Sequence, residues 1–209
     1  PVRVQVAAPG KPVERIEQGV HFVNQGEKAR LLAEYMKKHP EELALVFNRT
    51  KHGSDKLTKV LEGWGFSVGA IHGNKSQNQR ERILQSFRKG ELKVLVATDV
   101  AARGIDIPDV RHVYNYDLPN VPESYVHRIG RTARAGAEGF AISFCDHEER
   151  AYLRDIERLI RMTLPSTDKR ANRQGEPRQA SSPSAPARPH SPEGKPRNRA
   201  GQRRRQTAR

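Results

Sequence analysis

The stretch "VLVATDVAARGIDIPDV", residues 94–110, sets the terms for the rest of the chain. It opens on an unbroken apolar run, Val94 to Ala97. Strands of that kind are buried on both faces, as in a parallel sheet held between two layers of helices. The run ends at Thr98–Asp99, a brief helical turn follows, and Gly104 precedes Asp106. Polar groups therefore collect beyond the carboxyl end of a buried strand, where open parallel sheets bind their ligands.

Outward from this strand the same grammar repeats. Apolar runs at 19–23, 43–47, 66–71, 93–98, 110–116 and 139–145 alternate with helical patterns at 27–39, 51–64, 76–90, 122–130 and 148–162. In the helical segments apolar residues recur at three and four, as in Leu31, Leu32, Tyr35 and Met36. The alternation predicts an α/β fold with a parallel sheet covered on both faces. Functional loops are then expected after Phe47, Ile71 and Thr98 and around residue 117. Residues 1–16 have no clear period and read as an entry linker, which gives a folded domain over 17–165.

Composition changes abruptly beyond that point. Residues 166–209 contain no Leu, Ile, Val, Met, Phe, Tyr or Trp, and carry 12 Lys and Arg against 3 Asp and Glu. Such a segment cannot bury enough apolar surface to offset chain entropy, so it is expected to be a disordered basic tail. It holds most of the net charge of +14, and a polyanion such as nucleic acid is its natural partner. A solubility tail is the plainer alternative. The single cysteine, Cys145, excludes a disulfide frame and a Cys-based zinc site and reads as buried filler. No metal site is expected within the chain. No run reaches the length of a membrane span and no signal peptide opens the chain, so a soluble cytoplasmic protein is expected.

Three loops carry candidate chemistry. After 43–47 comes "NRTKHGS" (48–54), where Thr50 and the Gly53 backbone could donate to a phosphate; the alternative is an ordinary turn with Ser54 starting the helix. After 66–71, Ser76 and Gln79 fit a capping box, so a helix is expected from 77, with Gln77 and Arg80 sharing a side near its positive end. "GAIHGNKS" (69–76) is not a phosphate loop, because only three residues separate Gly69 from Gly73. After the opening strand, Thr98 could donate to a phosphate, and Asp106 in a glycine-permitted turn could accept the hydroxyls of a ribose. Structural capping by Asp99 and Asp106 is the competing account.

A fourth segment, "HRIGRTARAG" (127–136), sets Arg128, Arg131 and Arg134 at steps of three, about 60° apart around a helix. No acid stands three or four residues from Arg128 or Arg131, so the guanidiniums are expected to await an anion from elsewhere. Such groups stabilise charge on a transferring phosphoryl group. The alternative is three snorkelling surface arginines.

Four stretches, "LVFNRTKHG", "HGNKSQNQR", "VLVATDVAARGIDI" and "YVHRIGRTARAG", resemble in order and content motif IV, the QxxR motif, motif V and motif VI of DEAD-box RNA helicases. The wording is nearest to the bacterial RhlE-like group, and the resemblance runs from about residue 15 to 162. It implies a RecA-like domain, the second of two that close over ATP and RNA. By position it implies Arg131 and Arg134 as arginine fingers, His127 and Arg128 as couplers of the ATP and RNA sites, and Gly104 and Asp106 at the ATP ribose. It implies Thr50, Gly53, Gln77, Arg80 and Thr98 as contacts to a single-stranded or short-duplex RNA backbone, without sequence preference. Ala133 stands where many members have Gly, a small change that leaves the finger assignments in place.

Nothing matches a phosphate loop, an Asp-Glu-Ala-Asp sequence or a Q motif, which in the family lie in the first RecA-like domain with the Mg²⁺-holding acids. The chain is therefore expected to be the C-terminal part of a helicase. It would need that N-terminal domain as its partner, and ATP and Mg²⁺ as ligands, before it could turn over. A non-catalytic RNA-binding adaptor and a DNA helicase on the same fold are the competing functions.

Overall fold

The computed structural model describes residues 16–103, 107, 110–132 and 138–170. Seven strands form one all-parallel sheet: β1 (Ile16–Phe22), β2 (Ala44–Phe47), β3 (Val68–Ile71), β4 (Val94–Ala97), β5 (His112–Asn115), β6 (Gly139–Cys145) and β7 (Ser166–Asp168). Their order across the sheet is β3-β4-β2-β5-β6-β1-β7. The helices are α1 (Lys28–Lys38), α2 (Lys51–Gly63), α3 (Gln77–Arg88), α4 (Asp99–Ala102), α5 (Pro122–Ile129) and α6 (Arg150–Ile160).

Alternation along the strands divides the core between the two faces. Val46, Val94, Val96, Tyr114 and Phe144 meet Leu31, Leu32 and Met36 of α1 and Leu57 and Leu61 of α2. The intervening residues Leu45, Phe47, Leu95 and Val113 point the other way, onto Leu84 and Phe87 of α3 and Ala101 and Ala102 of α4. On that second face Val20, Ala141 and Cys145 pack against Tyr125 and Ile129 of α5 and Leu153 and Ile156 of α6. Each Val, Leu, Ile, Met or Phe side chain among them contributes about 1.5–3 kcal/mol by leaving water. The four-residue strands β2, β3, β4 and β5, buried at every position, follow from this double cover.

Two expected boundaries move. β1 begins at Ile16, within the segment read as linker, because the Ile16 side chain is buried and its backbone pairs with Gly139 of β6. The chain also continues as an ordered strand past 165: Ser166–Asp168 pair with Val20–Phe22 at the sheet edge. All three β7 residues are exposed, so this strand rests on backbone hydrogen bonding and leaves no apolar signature. Residues 171–209, the remainder of the segment 166–209 read as the basic tail, lie outside the described residues. Cys145 is buried, and burial pushes its thiol up to about 12, so it is inert packing.

Candidate functional site

Because β3, β4, β2 and β5 are neighbours, the segments after Ile71, Ala97, Phe47 and Asn115 emerge side by side along one edge. Ser76 caps α3 by accepting from the Gln79 amide, and the Gln79 side chain answers to the Ser76 amide at 2.9 Å, the reciprocal box the sequence foretold. Gln77 is exposed and donates to Glu81. Arg80 lies half-buried, with Nη2 reaching the His72 carbonyl at 3.4 Å and a buried Nε that has no partner. Thr98 is buried and precedes α4 without capping it through its side chain.

The loop after β2 differs from its expected form. Thr50, not Ser54, caps α2, its hydroxyl accepting from the Gly53 amide at 3.0 Å. The Gly53 N–H, expected to face a phosphate, is therefore already engaged. Glycine is required here for another reason. A Cβ would stand 2.6 Å from Asn48 Oδ1 and 2.8 Å from Thr50 Oγ1, while Asn48 Oδ1 itself holds the Thr50 amide. The two loops are cross-linked: Lys51 donates to Asn74 at 3.0 Å, and Asp55 holds both His72 and Lys75. These bonds draw the Asp55 carboxyl below the usual range, the His72 hydrogen bond foremost.

The expectation of unpartnered guanidiniums is corrected at Arg128. Arg128 is 1% exposed and far from unpartnered. Its Nε and Nη2 grip the two oxygens of Asp99, each at 2.7 Å, and Nη1 donates to Asn115 Oδ1 at 3.1 Å and the Asp117 carbonyl at 2.6 Å. The guanidinium also lies over the Phe47 ring. The anion that local spacing failed to show is 29 residues upstream, so Asp99 serves as a counter-ion rather than only a cap. The segment is also not wholly at the carboxyl edge. α5 starts there and runs back along the sheet, so that Arg131 O accepts from Val110 and Thr132 Oγ1 donates to the Arg111 carbonyl, beside the start of β5. Arg128 still reaches the carboxyl edge because helical side chains lean towards the helix N-terminus.

His127 is exposed and Arg131 half-buried. Among the described residues no carboxylate pairs with Arg131. Gly104, Asp106, Ala133 and Arg134 lie outside the described residues.

Sequence reading missed the buried network that braces this edge. The Lys28 ammonium, fully buried, meets Glu149 at 2.6 Å, Asp146 at 3.3 Å and Asp117 at 3.5 Å. Glu149 also holds Arg49 and the Leu118 amide, while Asp117 accepts from the Arg49 amide. Burial raises the Glu149 carboxyl despite Lys28. At Asp146 burial acts in the same direction, but Lys28 and two backbone amides outweigh it and the net shift is downward. Asp117 after β5 and Glu149 before α6 were visible as acids beyond strands; their convergence on Lys28 was not.

Asp55, Asp99, Asp117, Asp146 and Glu149 on this edge each answer to a cation or histidine of the chain itself. No described helix is long and apolar enough to cross a membrane.

A RecA-like α/β domain with its loops and arginines so arranged is a helicase C-terminal domain. Residues 27–136 match the family "Helicase conserved C-terminal domain". The ATP-dependent RNA helicase RhlB of Shewanella sediminis is 46% identical over 168 residues, 80% of this chain and 39% of that protein. A DEAD box protein from the hyperthermophile Methanococcus jannaschii superposes with a TM-score of 0.70 at 43% identity, covering 75% of this chain and 43% of that one. S. cerevisiae Dbp5 bound to RNA and ADP BeF3 superposes with a TM-score of 0.66 at 34% identity, over 73% of this chain and 41% of that one. The chain belongs to the DEAD-box RNA helicase family as its C-terminal RecA-like domain. It spans about two fifths of the length of the curated relatives it matches, and these carry the name RhlB rather than an RhlE-like one.

Proposed function

We propose that this chain is the C-terminal half of an ATP-dependent RNA helicase that separates short RNA duplexes when paired with an N-terminal RecA-like domain. The observation that carries the proposal is the adjacency of three loops at one sheet edge, with Thr50 and Gln77 exposed, Arg80 half-buried and Thr98 buried beside them, on a chain of net charge +14. Thr50, Gln77, Arg80 and Thr98 are the RNA sugar–phosphate contacts, with recognition independent of sequence. Gly53 acts by shaping the Thr50 turn as well as by lying close to the strand. Arg131 and Arg134 are the groups that offset charge on the γ-phosphoryl, and Gly104 and Asp106 hold the ribose. Arg128, enclosed by Asp99, positions rather than touches, and exposed His127 is the coupler that faces the partner domain.

The five acids Asp55, Asp99, Asp117, Asp146 and Glu149 are engaged within the chain, so the Mg²⁺ ligands are assigned to the partner domain and no step is drawn through it. The motif wording supports the RhlE-like group within the bacterial enzymes. The experiment is RNA-stimulated ATP turnover and duplex unwinding, measured for the chain alone, for a two-domain protein and for its Arg131→Ala variant. The chain alone should give background turnover, and Arg131→Ala should lower two-domain turnover by roughly 10³–10⁵. Unwinding of duplex DNA in preference to RNA, or wild-type turnover in Arg131→Ala, would overturn the reading in favour of a DNA helicase or an adaptor.

A further inference from the structure

On the face opposite α5, at the other end of β5, three donors converge that the helicase reading does not use. His39 caps the C-terminus of α1, Glu42 lies in the turn that leads into β2, and His112 is the first residue of β5. The backbone fixes all three: the His39 amide donates to Met36, the Glu42 amide donates to the His39 carbonyl, and His112 pairs in register with Ala44. One ligand atom from each lies within 4.8 Å of the other two. Glu42 Oε2 is hydrogen-bonded to His112 Nε2 and stands 3.8 Å from His39 Nδ1. The imidazole centroids are 4.5 Å apart.

We propose that His39, Glu42 and His112 bind a single divalent transition-metal ion, for which Zn²⁺ is the ion best suited. Two imidazoles and one carboxylate are a borderline donor set, matched to Zn²⁺ and poorly matched to Mg²⁺ or Ca²⁺, which take oxygen ligands. Three protein ligands are sufficient when water completes the tetrahedron, and His39 and Glu42 remain open to solvent, with side chains 41% and 36% exposed. Tetrahedral donors at bonds of ~2.1 Å stand roughly 3.4 Å apart, so the widest separation must close by about an ångström. The exposed His39 side chain, at a helix end, has that freedom. His112 does not need to move: its ring stacks on Phe140 at 5.5 Å and Tyr114 at 6.0 Å, which fixes its orientation.

The competing cation is Arg111, whose Nε lies 3.5 Å from Glu42 Oε2. A second acid, Glu138, is 3.7 Å from its Nη2, so the guanidinium keeps a partner when a metal takes Glu42. Lys38 lies over the Tyr35 ring and Lys93 pairs with Glu41, so neither needs Glu42. The ion would tie the end of α1 to the start of β5 and stabilise the fold, independently of the phosphate chemistry on the other face.

The test is calorimetric titration of the chelator-treated 209-residue chain with Zn²⁺, alongside thermal unfolding with and without the ion. One site per chain is expected, together with a rise in Tm, since an ion that binds only the folded state stabilises it. His39→Ala and Glu42→Gln alter partly exposed side chains outside the core, and circular dichroism should show both folded. Each should lower Zn²⁺ affinity at least about tenfold and remove the Tm rise, whereas His147→Ala, at an exposed histidine, should leave both unchanged. Absence of one-to-one binding by the parent chain, or wild-type affinity in both variants, would overturn the proposal.

Discussion

Asp99→Ala should destabilise the domain by about 3 kcal/mol. The substitution leaves the Arg128 guanidinium, 1% exposed, without the two 2.7 Å bonds that neutralise it, while Asn115 and the Asp117 carbonyl supply dipoles but no charge. Removing one member of a buried pair typically costs 3–5 kcal/mol. The lower end applies because the Asp99 side chain is 26% exposed and water can enter where it stood. Arg128→Met should cost a similar ~3 kcal/mol by a different route. It frees Asp99 to turn to solvent but strips the buried Asn115 Oδ1 and the Asp117 carbonyl of their donor, at about 1–3 kcal/mol for each group left unpaired.

The double variant should be more stable than the sum of the single losses by roughly 2 kcal/mol, because neither residue then has a stranded partner. Urea unfolding at pH 7 with unchanged m-values reads these differences, and thermal midpoints should fall by roughly 6–12 °C for each single variant. A buried pair is little screened, so the losses should persist at high salt. A cost below about 1 kcal/mol for Asp99→Ala, or strictly additive single variants, would refute the assignment of this pair as a structural clamp.

Lys28→Met should destabilise by at least about 3 kcal/mol at pH 7 and reverse the sign of the Asp146 contribution to the acid limb. In the parent chain Asp146 is held low by Lys28, so its contribution is lost as pH falls through its folded pKa. Glu149 is already held above its unfolded value by burial. Without the ammonium it rises further and Asp146 rises with it, so stability should increase as pH is lowered towards about 4; an acid limb parallel to the parent's would contradict this. Gly53→Ala forces a Cβ to 2.6 Å from buried Asn48 Oδ1 and should cost about 1–2 kcal/mol through the lost Thr50 cap, with weaker RNA binding in a filter assay; unchanged urea midpoint and affinity would exclude the steric account. Truncation after Arg170 removes most of the basic tail and should flatten the slope of log K against log salt for RNA binding, whereas equal slopes for the two lengths would show that the tail makes no phosphate contacts.

Much of the fold was legible because its signals are local. Short apolar runs marked six strands, three-and-four spacing marked the long helices, and Ser76 with Gln79 marked the start of α3 through one reciprocal pair of bonds. What escaped depends on groups distant in sequence or on backbone alone. β7 is exposed at every position and gains its place by pairing with β1. The cap of α2 fell to Thr50 rather than Ser54 because Asn48 turns the Thr50 amide inward and leaves Gly53 as the donor. Arg128 looked unpartnered because helical spacing tests only neighbours at three and four, while the strand order carries Asp99 to it from β4 across β2 and β5.

That last pairing changes how the arginine segment should be understood. Asp99 directly follows Thr98, an RNA contact in the proposed function, and Arg128 precedes Arg131 by one turn of chain. One bidentate ion pair therefore fastens the loop after β4 to the body of α5. Arg128 is in turn tied to β5 through Asn115, which donates to Ser143 of β6. The far end of α5 is anchored separately, by Thr132 to the Arg111 carbonyl and by the Arg131 carbonyl to Val110. A helix held through Arg128 and again just beyond its last residue cannot shift Arg131 independently of Thr98. On the proposed function, RNA seated at the sheet edge and a phosphate met by Arg131 therefore act on one rigid element, and the coupling between them needs no long pathway, only the α5 helix and its grip on Asp99.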